Sequence, residues 1–307
     1  MKSPLFPGVR PAGRHNMGKQ ESVMTGIDPQ AIKERERNSW RSAADGWQRR
    51  DALLREGAAP VSEWMLERAG ITAGHRVLDI ASGTGEPAIS AAHRVGRQGR
   101  VIGTDLVEEM LVFARQKAQQ AGAENIEFHC TDGELLAYPP ASFDAATLRW
   151  GLMFMPQPEH CLASVHRLLK PGARMTLACW SDPDKNPFIS LLTRSLGKFM
   201  ELPEAPPGAP GIFAFADPQR LQSVIEAAGF QDVELEEMVI DFIEVDSGEA
   251  YWETMSDLAA PVMLLVEQLD AALREQFVED VISSAEALKQ DGMVRLRGTT
   301  WLACATK

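Results

Sequence analysis

The sequence predicts an α/β fold, built on a doubly wound, Rossmann-like sheet of seven mostly parallel strands with an antiparallel last strand. Three observations support this fold class. Short apolar runs alternate with helical patterns between residues 76 and 180, which is typical of βαβ units. The first apolar run ends in a glycine-rich turn that enters a helix. The length of 307 residues and a hydrophobic share of 45% are sufficient for a full-sized core.

The apolar runs set the order of the strands. We expect the first five, all parallel, at Arg76–Ala81, Arg100–Asp105, Asn125–Cys130, Phe143–Trp150 and Ala173–Trp180. Amphipathic helices are expected between them, at Pro87–Val95, Val107–Ala121 and Glu159–Leu169. Two further strands, Val233–Val245 and Gly292–Thr306, are expected to form an antiparallel pair at the sheet edge.

Helical patterns outside this core predict the elements that cover the sheet. An N-terminal pair is expected at Pro29–Arg50 and Ala59–Ala69, and two single helices at Phe188–Met200 and Pro218–Ala228. The segment Gly248–Leu288, between the last two strands, is longer than a hairpin requires and predicts a helical lid insertion. Residues 1–27 are rich in Gly, Pro and Ser without periodicity, which predicts a disordered leader or a misplaced start.

Charge and cysteine content exclude several functional classes. The formal net charge is −12, with basic residues concentrated in residues 1–50 and acidic residues in residues 201–300. An acidic C-terminal third repels a phosphate backbone, so we expect no nucleic-acid partner. The four cysteines are widely spaced and form no cluster with histidine, so we expect neither a disulfide framework nor a metal site. Because no apolar stretch reaches about 18 residues and no secretory signal is visible, we expect a cytoplasmic protein without a membrane span.

The most informative segment is the turn after the first strand, within residues 77–88. The strand carries Asp79 near its end, and the chain then turns through Gly83 and Gly85 into a helix. Such a turn exposes backbone N–H groups and allows a ligand to approach the main chain. The pattern also satisfies the dinucleotide fingerprint G-x-G-x-x-A, with Asp105 in the position of a ribose-binding acid. The glycines alone therefore leave a nicotinamide cofactor and S-adenosylmethionine both open.

Three further features favour S-adenosylmethionine, which has an amino-acid end, a ribose diol and an adenine but no phosphate. At the strand end, the carboxylate of Asp79 suits a positively charged amino group better than a pyrophosphate. The third strand is followed by the polar tip Thr131-Asp132-Gly133, which is able to accept a hydrogen bond from an exocyclic amine such as that of adenine. Neither Tyr138 nor Tyr251 is followed by Lys four residues later, so the Tyr/Lys pair of short-chain dehydrogenases is missing.

Five motifs along the chain combine into a more specific pattern. In chain order they are Val77–Glu86, Val101–Leu106, Cys130–Gly133, Arg149–Phe154 and Leu168–Gly172. This combination resembles the class I S-adenosylmethionine-dependent methyltransferases, and within them the ubiquinone/menaquinone-methyltransferase-like group that acts on small molecules. The resemblance extends from residue 29 to residue 307 and implies one domain over residues 28–307. That domain has a cofactor half at 70–182 and substrate or lid elements at 28–69, 183–230 and 246–290.

The resemblance implies a role for each matched residue, according to the part of S-adenosylmethionine that it would contact. The methionine moiety would contact Asp79, Ala81, Ser82, Gly83 and Gly85, and the ribose hydroxyls would contact Asp105. The adenine would lie against Leu106, Met110, Thr131, Asp132 and Gly133. Arg149 and Trp150 would line the path to the methyl group, and Trp47, with Trp40, would lie on a helix that closes over the cofactor. Asp132 would accept from the adenine amine, and Asp105 would accept from both hydroxyls.

The implied reaction is an in-line displacement, in which the protein aligns a nucleophile behind the methyl carbon and excludes water. The expected acceptor is a small, apolar or aromatic metabolite with an oxygen, nitrogen or carbon nucleophile. Apolar side chains are the candidates for its pocket, since ligand sites are mostly apolar. They are Trp40, Met153, Phe154, Trp180, Phe213, Phe215 and Trp252. No catalytic group is assigned, and His129 and His160 are the two candidates for a base.

Two departures from the quinone methyltransferases argue against a quinone precursor as the acceptor. The N-terminal signature of those enzymes and the acidic end of their fifth strand are replaced here by Trp40–Trp47 and Ala178–Ser181. Two other functions stay open on the sequence alone: an NAD(P)-dependent oxidoreductase, and a non-catalytic protein of this fold that binds S-adenosylmethionine. The oligomeric state is open as well, with a homodimer as one alternative.

Overall fold

The strands follow the predicted order of apolar runs. The computed structural model describes residues 28–203, 206 and 208–307, so the predicted leader at 1–27 lies outside the described residues. The strands are β1 Arg76–Ile80, β2 Arg100–Asp105, β3 Ile126–Cys130, β4 Phe143–Arg149, β5 Leu169–Trp180, β6 Gln231–Val245, β7 Lys289–Gln290 and β8 Met293–Thr306. The two-residue strand β7, which the sequence pattern does not predict, pairs with the first residues of β8.

Ten α-helices occur in the described residues, and they cover the sheet. They are α1 Pro29–Arg49, α2 Asp51–Arg68, α3 Ala88–Val95, α4 Glu108–Gln120, α5 Pro158–Leu168, α6 Pro187–Leu196, α7 Pro218–Ala227, α8 Gly248–Leu258, α9 Ala260–Val266 and α10 Ala271–Glu286. The predicted lid segment is therefore three helices, α8 to α10. None of the helices described is both long enough and apolar enough to cross a membrane.

Helix α2 begins eight residues before its predicted start at Ala59. Pro60 lies inside the helix and removes one backbone donor, which is why the sequence pattern favours a later start. Tertiary packing outweighs this loss. The backbone of α2 lies directly on β6 at Gly57, where a Cβ would overlap the carbonyl oxygen of Phe242. Residues Leu54, Ala58 and Val61 are buried along the same helix.

The sheet has the order β3-β2-β1-β4-β5-β8-β6. Strands β1 to β5 are parallel, and β8 runs antiparallel to both β5 and β6. The predicted mostly parallel, Rossmann-like sheet with an antiparallel last strand is confirmed. Because β1 has β2 on one side and β4 on the other, right-handed crossovers place α3 and α4 on one face and α5 on the other. Ligands of such sheets bind at the carboxyl ends of the strands where this reversal occurs.

Helix α1 lies across the carboxyl ends of the strands and is attached at several points. It crosses α8 at Gly46, where a Cβ would overlap the carbonyl oxygen of Asp257. The Nε of Arg50, just after α1, lies 2.7 Å from Oδ2 of the same aspartate. Nearer its middle, Arg41 forms an ion pair of 2.9 Å with Glu109 on α4. The crossing at Gly46 and the Arg50 contact hold α1 in place above the sheet, whereas the exposed Arg41 pair contributes little.

Candidate functional site

A cavity lies at the carboxyl ends of β1 to β4, and α1 forms its outer wall. It is located at the point of the sheet where the strand order reverses. The residues that the sequence assigns to cofactor binding line this cavity, apart from Asp79 and Gly85, which are buried. The lining members of that set are Trp47, Ala81, Ser82, Gly83, Asp105, Leu106, Met110, Thr131, Asp132, Gly133, Arg149 and Trp150.

The turn after β1 brings the main chain to the cavity wall. Ala81 and Gly83 have positive φ angles of 55° and 52°, and Gly85 has a φ of 112°. A Cβ at Gly83 would meet nothing within 4 Å, whereas a Cβ at Gly85 would come within 2.8 Å of the Ile89 side chain. Gly83 therefore leaves open space beside the cavity, while Gly85 allows the turn to pack closely on α3.

Replacing Ala81 by glycine is expected to stabilise the ligand-free protein by about 0.5–1 kcal/mol, because the left-handed region is costly for a residue with a Cβ. Ala141 is a matched control, since its φ is 51° and it lies in an exposed turn outside the cavity. Urea unfolding of Ala81→Gly and Ala141→Gly should show similar gains in the free energy of unfolding. A lower stability of Ala81→Gly would contradict this reading of the turn.

Asp105, at the end of β2, holds two backbone amides at the cavity wall. Its Oδ2 accepts a hydrogen bond from Gly83 N and its Oδ1 accepts one from Val107 N, both at 2.9 Å. Burial raises the pKa of Asp105, and these backbone N–H donors oppose the rise. A carboxylate has about four lone-pair sites. Asp105 therefore fixes the turn and the start of α4, and it still has capacity to accept from a ligand's hydroxyl groups.

Asp79 is fully buried beneath the turn, and one of its oxygens lacks a partner. Oδ1 accepts a hydrogen bond from Thr147 Oγ1 at 2.6 Å, whereas Oδ2 has no hydrogen-bond partner among the described residues. Burial raises the pKa of Asp79 to about 6, and the Ser82 and Thr147 hydroxyls and the charge of Arg149 oppose this rise. A buried carboxylate oxygen without a partner is costly. The site is thus suited to a ligand with a positively charged amino group.

The Asp79→Asn variant is expected to be more stable than the wild type at pH 7–8 in the absence of ligand. The pKa of Asp79 is about 6 in the folded protein, above its ordinary value of 3.8. Burial of the protonated side chain therefore favours folding fully below pH 3.8, and this contribution to stability is lost as the pH rises through 6. At pH 7 the buried charge costs about 1–3 kcal/mol. Urea unfolding between pH 4 and pH 8 should show the difference in stability growing with pH, and an equal stability at every pH would contradict it.

Arg149 and Trp150 form the inner wall beyond β4. The Arg149 guanidinium donates to Ser62 Oγ at 2.7 Å and to the Glu86 carbonyl at 2.9 Å. Its carbon lies 5.1 Å from the centre of the Trp150 ring. The Trp150 ring stacks on Trp180 at a centroid distance of 4.3 Å, with 13° between the planes. Trp150 thus faces the cavity, and Trp180 supports it from the core.

One face of α1 supplies four side chains to the outer wall: Lys33, Glu36, Trp40 and Trp47. The centre of the Trp40 ring lies 5.5 Å from that of Trp47 and 5.1 Å from that of Phe154. Burial raises the pKa of the Glu36 carboxyl. The sequence prediction names the two tryptophans and misses Lys33 and Glu36. Their spacing of three, four and seven residues, which places all four on one helix face, is the signal that identifies them.

Five of the predicted acceptor-pocket residues do not line the cavity. They are Met153, Trp180, Phe213, Phe215 and Trp252. Met153, Trp180 and Phe215 are buried in the main core. Half-buried Trp252 packs edge-on against Phe277 of α10 at 5.7 Å, and Phe213 lies at the core margin before α7. All five pack against the apolar core, and of the predicted set only Trp40 and Phe154 line this cavity.

Neither histidine that the sequence offers as a base reaches the cavity. His129 is on the edge strand β3, with its Nδ1 2.7 Å from the Tyr138 hydroxyl, and His160 is exposed on α5. Within the ranges that the structure describes, no group of three or more His, Cys, Asp or Glu side chains is arranged to hold a metal ion. The polar side chains of the described lining are carboxylates, hydroxyls and the two cations Lys33 and Arg149.

The residues present fit S-adenosylmethionine. The unpartnered Oδ2 of Asp79 matches an amino group, the free acceptor capacity of Asp105 matches a ribose diol, and Gly83 leaves room at the main chain. Asp132 and the apolar side chains of Leu106 and Met110 line the same cavity.

The chain is similar in sequence to known methyltransferases. A family model described as a methyltransferase domain matches residues 71–229. The chain is 31% identical over 202 residues to the ubiquinone/menaquinone biosynthesis C-methyltransferase of Francisella tularensis subsp. novicida, covering 61% of this chain and 78% of that protein.

Solved structures share the fold at low identity. The YcgJ protein of Bacillus subtilis is 21% identical and has a TM-score of 0.52, over 80% of this chain and 97% of that one. The phosphoethanolamine N-methyltransferase 2 of Haemonchus contortus, solved with phosphomonomethylethanolamine and S-adenosylhomocysteine, is 15% identical and also has a TM-score of 0.52. That alignment covers 92% of this chain and 60% of the other.

Proposed function

The chain belongs to the methyltransferase-domain family and is an S-adenosylmethionine-dependent methyltransferase, and we propose that it methylates a small, apolar or aromatic metabolite. The nucleophile of this acceptor is an oxygen, nitrogen or carbon atom. One observation supports the proposal above others: a single cavity combines carboxylates at the ends of β2 and β3 with an aromatic wall over β4.

In this proposal the tips of β1, β2 and β3 hold the cofactor. Asp79 and the turn around Gly83 receive the methionine end, and Asp105 accepts from the ribose hydroxyls. Asp132 accepts from the adenine amine, with Met110 beside the ring. When bound, the cofactor supplies a methyl group on a sulfonium, which is already a good leaving group. The assignment follows the order of the strands, since these tips are adjacent in the sheet.

The acceptor then lies over β4, because the cofactor extends from β1 toward β3 on the other side. Trp150 and Gly151 follow β4 directly, and Phe154 and Trp40 close this end of the cavity. Aromatic and apolar walls favour an apolar or aromatic acceptor.

The ionisable groups of the described lining are predominantly acidic. They are Glu36, Glu86, Asp105, Asp132 and Glu134 against Lys33 and Arg149. An acceptor that carries a carboxylate or phosphate would be repelled by this excess of negative charge. We therefore propose a neutral or cationic acceptor.

The chain's contribution to the reaction is alignment and exclusion of water. Trp40, Trp47 and Phe154 enclose the cavity, and Trp150 is held by its Nε1–H, which donates to Thr300 Oγ1 at 3.0 Å. Such positioning can supply about 7–11 kcal/mol of the barrier. No histidine is found in the described lining, so the proposal does not depend on a histidine base.

A quinone-type acceptor is one member of this class. The relative from Francisella tularensis bears the name of a ubiquinone/menaquinone biosynthesis C-methyltransferase, which favours a carbon atom as the nucleophile. The two sequence departures, at Trp40–Trp47 and Ala178–Ser181, oppose it. In the structure, Trp40 and Trp47 belong to the cavity wall, whereas Ala178, Cys179 and Trp180 are buried in β5.

Transfer of tritium from [methyl-³H]S-adenosylmethionine to a panel of acceptors tests the proposal. Each neutral aromatic compound is paired with a carboxylated analogue, for instance catechol with 3,4-dihydroxybenzoate, and a demethylmenaquinol analogue is included. We expect transfer to neutral members, with the carboxylated partners about 5–30-fold slower, as a repulsion of about 1–2 kcal/mol would give. Transfer only to anionic compounds, or to protein or nucleic acid, would contradict the proposal.

We also propose a cytoplasmic location and a small-molecule partner without nucleic acid. All four cysteines are free thiols, and three of them are buried. Unpaired cysteines are typical of a reducing compartment. The strong acidity of residues 201–300 further disfavours a nucleic-acid partner.

A further inference from the structure

Lys33 is a buried cation at the wall of the cavity. It lies in the first turns of α1, its side chain is 7% exposed, and its Nζ lies 2.7 Å from Asp132 Oδ2 and 2.5 Å from Glu134 Oε2. Lysine is almost never buried unless it is paired. Here one ammonium is shared between two carboxylates of the same short segment after β3.

The two carboxylates hold two further parts of the wall. Asp132 Oδ1 accepts from Glu134 N at 2.9 Å, which fixes the turn after β3. Glu134 Oε1 accepts from Gln157 N at 2.7 Å, where the segment after β4 enters α5. Through Lys33, these bonds connect α1, the turn after β3 and the segment around Met155, all of which contribute to the cavity lining.

The charges explain why a cation is needed at this point. The Glu134 side chain is 1% exposed and that of Asp132 is 19% exposed, so two carboxylates lie close together with little solvent around them. Lys33 offsets one of the two negative charges. The remaining charge stays with the pair, and Asp132, which lines the cavity, retains lone pairs that can accept from a ligand.

We propose that Lys33 is a positioning residue for the nucleobase end of the cofactor, acting through Asp132 and Glu134. It sets the direction in which the Asp132 carboxylate faces the cavity, and it ties the first turns of α1 to the wall that contacts the nucleobase. This inference rests on the proposed function, because it takes Asp132 as the acceptor for the adenine amine.

The same contacts fix the cover of the cavity. Lys33, Trp40 and Trp47 lie on one face of α1, with Lys33 near one end and the crossing with α8 at Gly46 near the other. Releasing the Lys33 end frees the first turns of the helix, whereas the contact of Arg50 with Asp257 remains. Loss of Lys33 therefore accelerates ligand dissociation more than it slows association.

Lys33→Met, which keeps the length of the apolar stem, tests the proposal in the full-length protein. We expect the Kd for S-adenosylhomocysteine to rise about 10–100-fold, the effect of a disturbed hydrogen bond to a charged group. Calorimetry measures the affinity, and stopped-flow fluorescence of the cavity tryptophans measures the dissociation rate. Arg41→Gln is the matched control, since its ion pair with Glu109 is on the same helix but 49% and 45% exposed. That variant should stay within about twofold of the wild type.

Nucleobase discrimination provides the readout that a merely structural role would not change. The hypoxanthine of S-inosylhomocysteine has a carbonyl oxygen in place of the adenine amine, so the donor that faces Asp132 in the proposed site is replaced by an acceptor, and its remaining N1–H is displaced by one ring position. The wild type should bind it more weakly than S-adenosylhomocysteine, and the ratio of the two Kd values should fall in Lys33→Met. Lys33→Arg, which keeps the cation, should restore most of the ratio.

Two results would overturn the inference. One is a cooperatively folded Lys33→Met variant with the wild-type affinity and the wild-type ratio. If that variant does not fold, Glu134→Gln is tested instead, because it withdraws one of the two carboxylates from Lys33. This variant is expected to lower the ratio of the two Kd values. An unchanged ratio in Glu134→Gln is the second result that would overturn the inference. A wild type that binds no S-adenosylhomocysteine would overturn the proposed function instead, so the two failures are distinguishable.

Discussion

The Asp105→Ala variant is expected to lose at least about 100-fold in affinity for S-adenosylhomocysteine. In the proposed site the carboxylate accepts from two ribose hydroxyls, and hydrogen bonds to a charged group contribute about 1.5–3 kcal/mol each. Losing even about 3 kcal/mol corresponds to roughly a 100-fold change in Kd. Calorimetric titration of the variant and the wild type measures this difference directly.

The controls for Asp105 separate binding from folding. Removing the carboxylate also deprives Gly83 N and Val107 N of their acceptor, so some loss of stability is expected as well. Asp105→Asn keeps the side-chain shape and should still lose most of the affinity. Glu108→Ala removes a nearby acid, 51% exposed and paired with Arg115, and should bind as the wild type does. Near-normal affinity in both Asp105 variants would contradict the ribose role.

The Gly46→Ala variant is expected to be less stable than the wild type, although alanine is the better helix former. Alanine has the higher helix propensity, by about 1 kcal/mol, so an isolated helix would gain. At the crossing with α8, however, the added Cβ would overlap the Asp257 carbonyl oxygen, and a backbone atom has little freedom to move aside. Overpacking of this kind costs about 1–3 kcal/mol. Thermal or urea unfolding measures the net effect.

The same substitution should also weaken ligand binding, because moving α1 displaces the face that carries Trp40 and Trp47. Asp45→Ala is the matched control: the side chain is exposed on α1, one residue away, and alanine raises helix propensity there too. That variant should be as stable as the wild type or more so, with unchanged affinity for S-adenosylhomocysteine. A Gly46→Ala protein with wild-type stability and affinity would show that α1 does not depend on this close crossing.

Local patterns made most of the fold predictable from the sequence. The strands β1 to β5 are apolar runs of ordinary length, and the turn through Gly83 and Gly85 has a characteristic spacing, so neither needs long-range information. The start of α2 could not be predicted, because Pro60 argues against it and only the close contact of Gly57 with β6 compensates. The division of residues 248–288 into three helices likewise depends on how they pack.

Within the site, the polar residues of the strand ends were more predictable than the aromatic ones. Asp105 is the last residue of β2, and its position at the carboxyl end of this strand fixes its place in the cavity. Trp150 and Trp180 stack on each other, yet only Trp150 lines the cavity, and nothing in the sequence distinguishes them. Lys33 was missed because its partners, Asp132 and Glu134, are about a hundred residues away.

Several costly features are concentrated around the cavity. Ala81 and Trp150 have positive φ angles of 55° and 56°, which is unfavourable for residues with a Cβ. Asp79 has a buried oxygen without a partner among the described residues. Local strain and unpaired buried charge are typical of functional sites, where binding compensates for lost stability. The stabilising substitutions expected at Ala81 and Asp79 follow from the same reasoning.

Calorimetric titration of the wild-type protein with S-adenosylhomocysteine and, in parallel, with NADH tests the central claim most directly. The cavity at the ends of β1 to β4 should bind one S-adenosylhomocysteine per chain. If the ionised carboxylate of Asp79 binds the ligand's amino group, this affinity should fall as the pH drops below the Asp79 pKa of about 6, because the carboxylate then becomes protonated. No heat of binding is expected with NADH. Binding of NADH in place of S-adenosylhomocysteine, or of neither ligand, would contradict the claim.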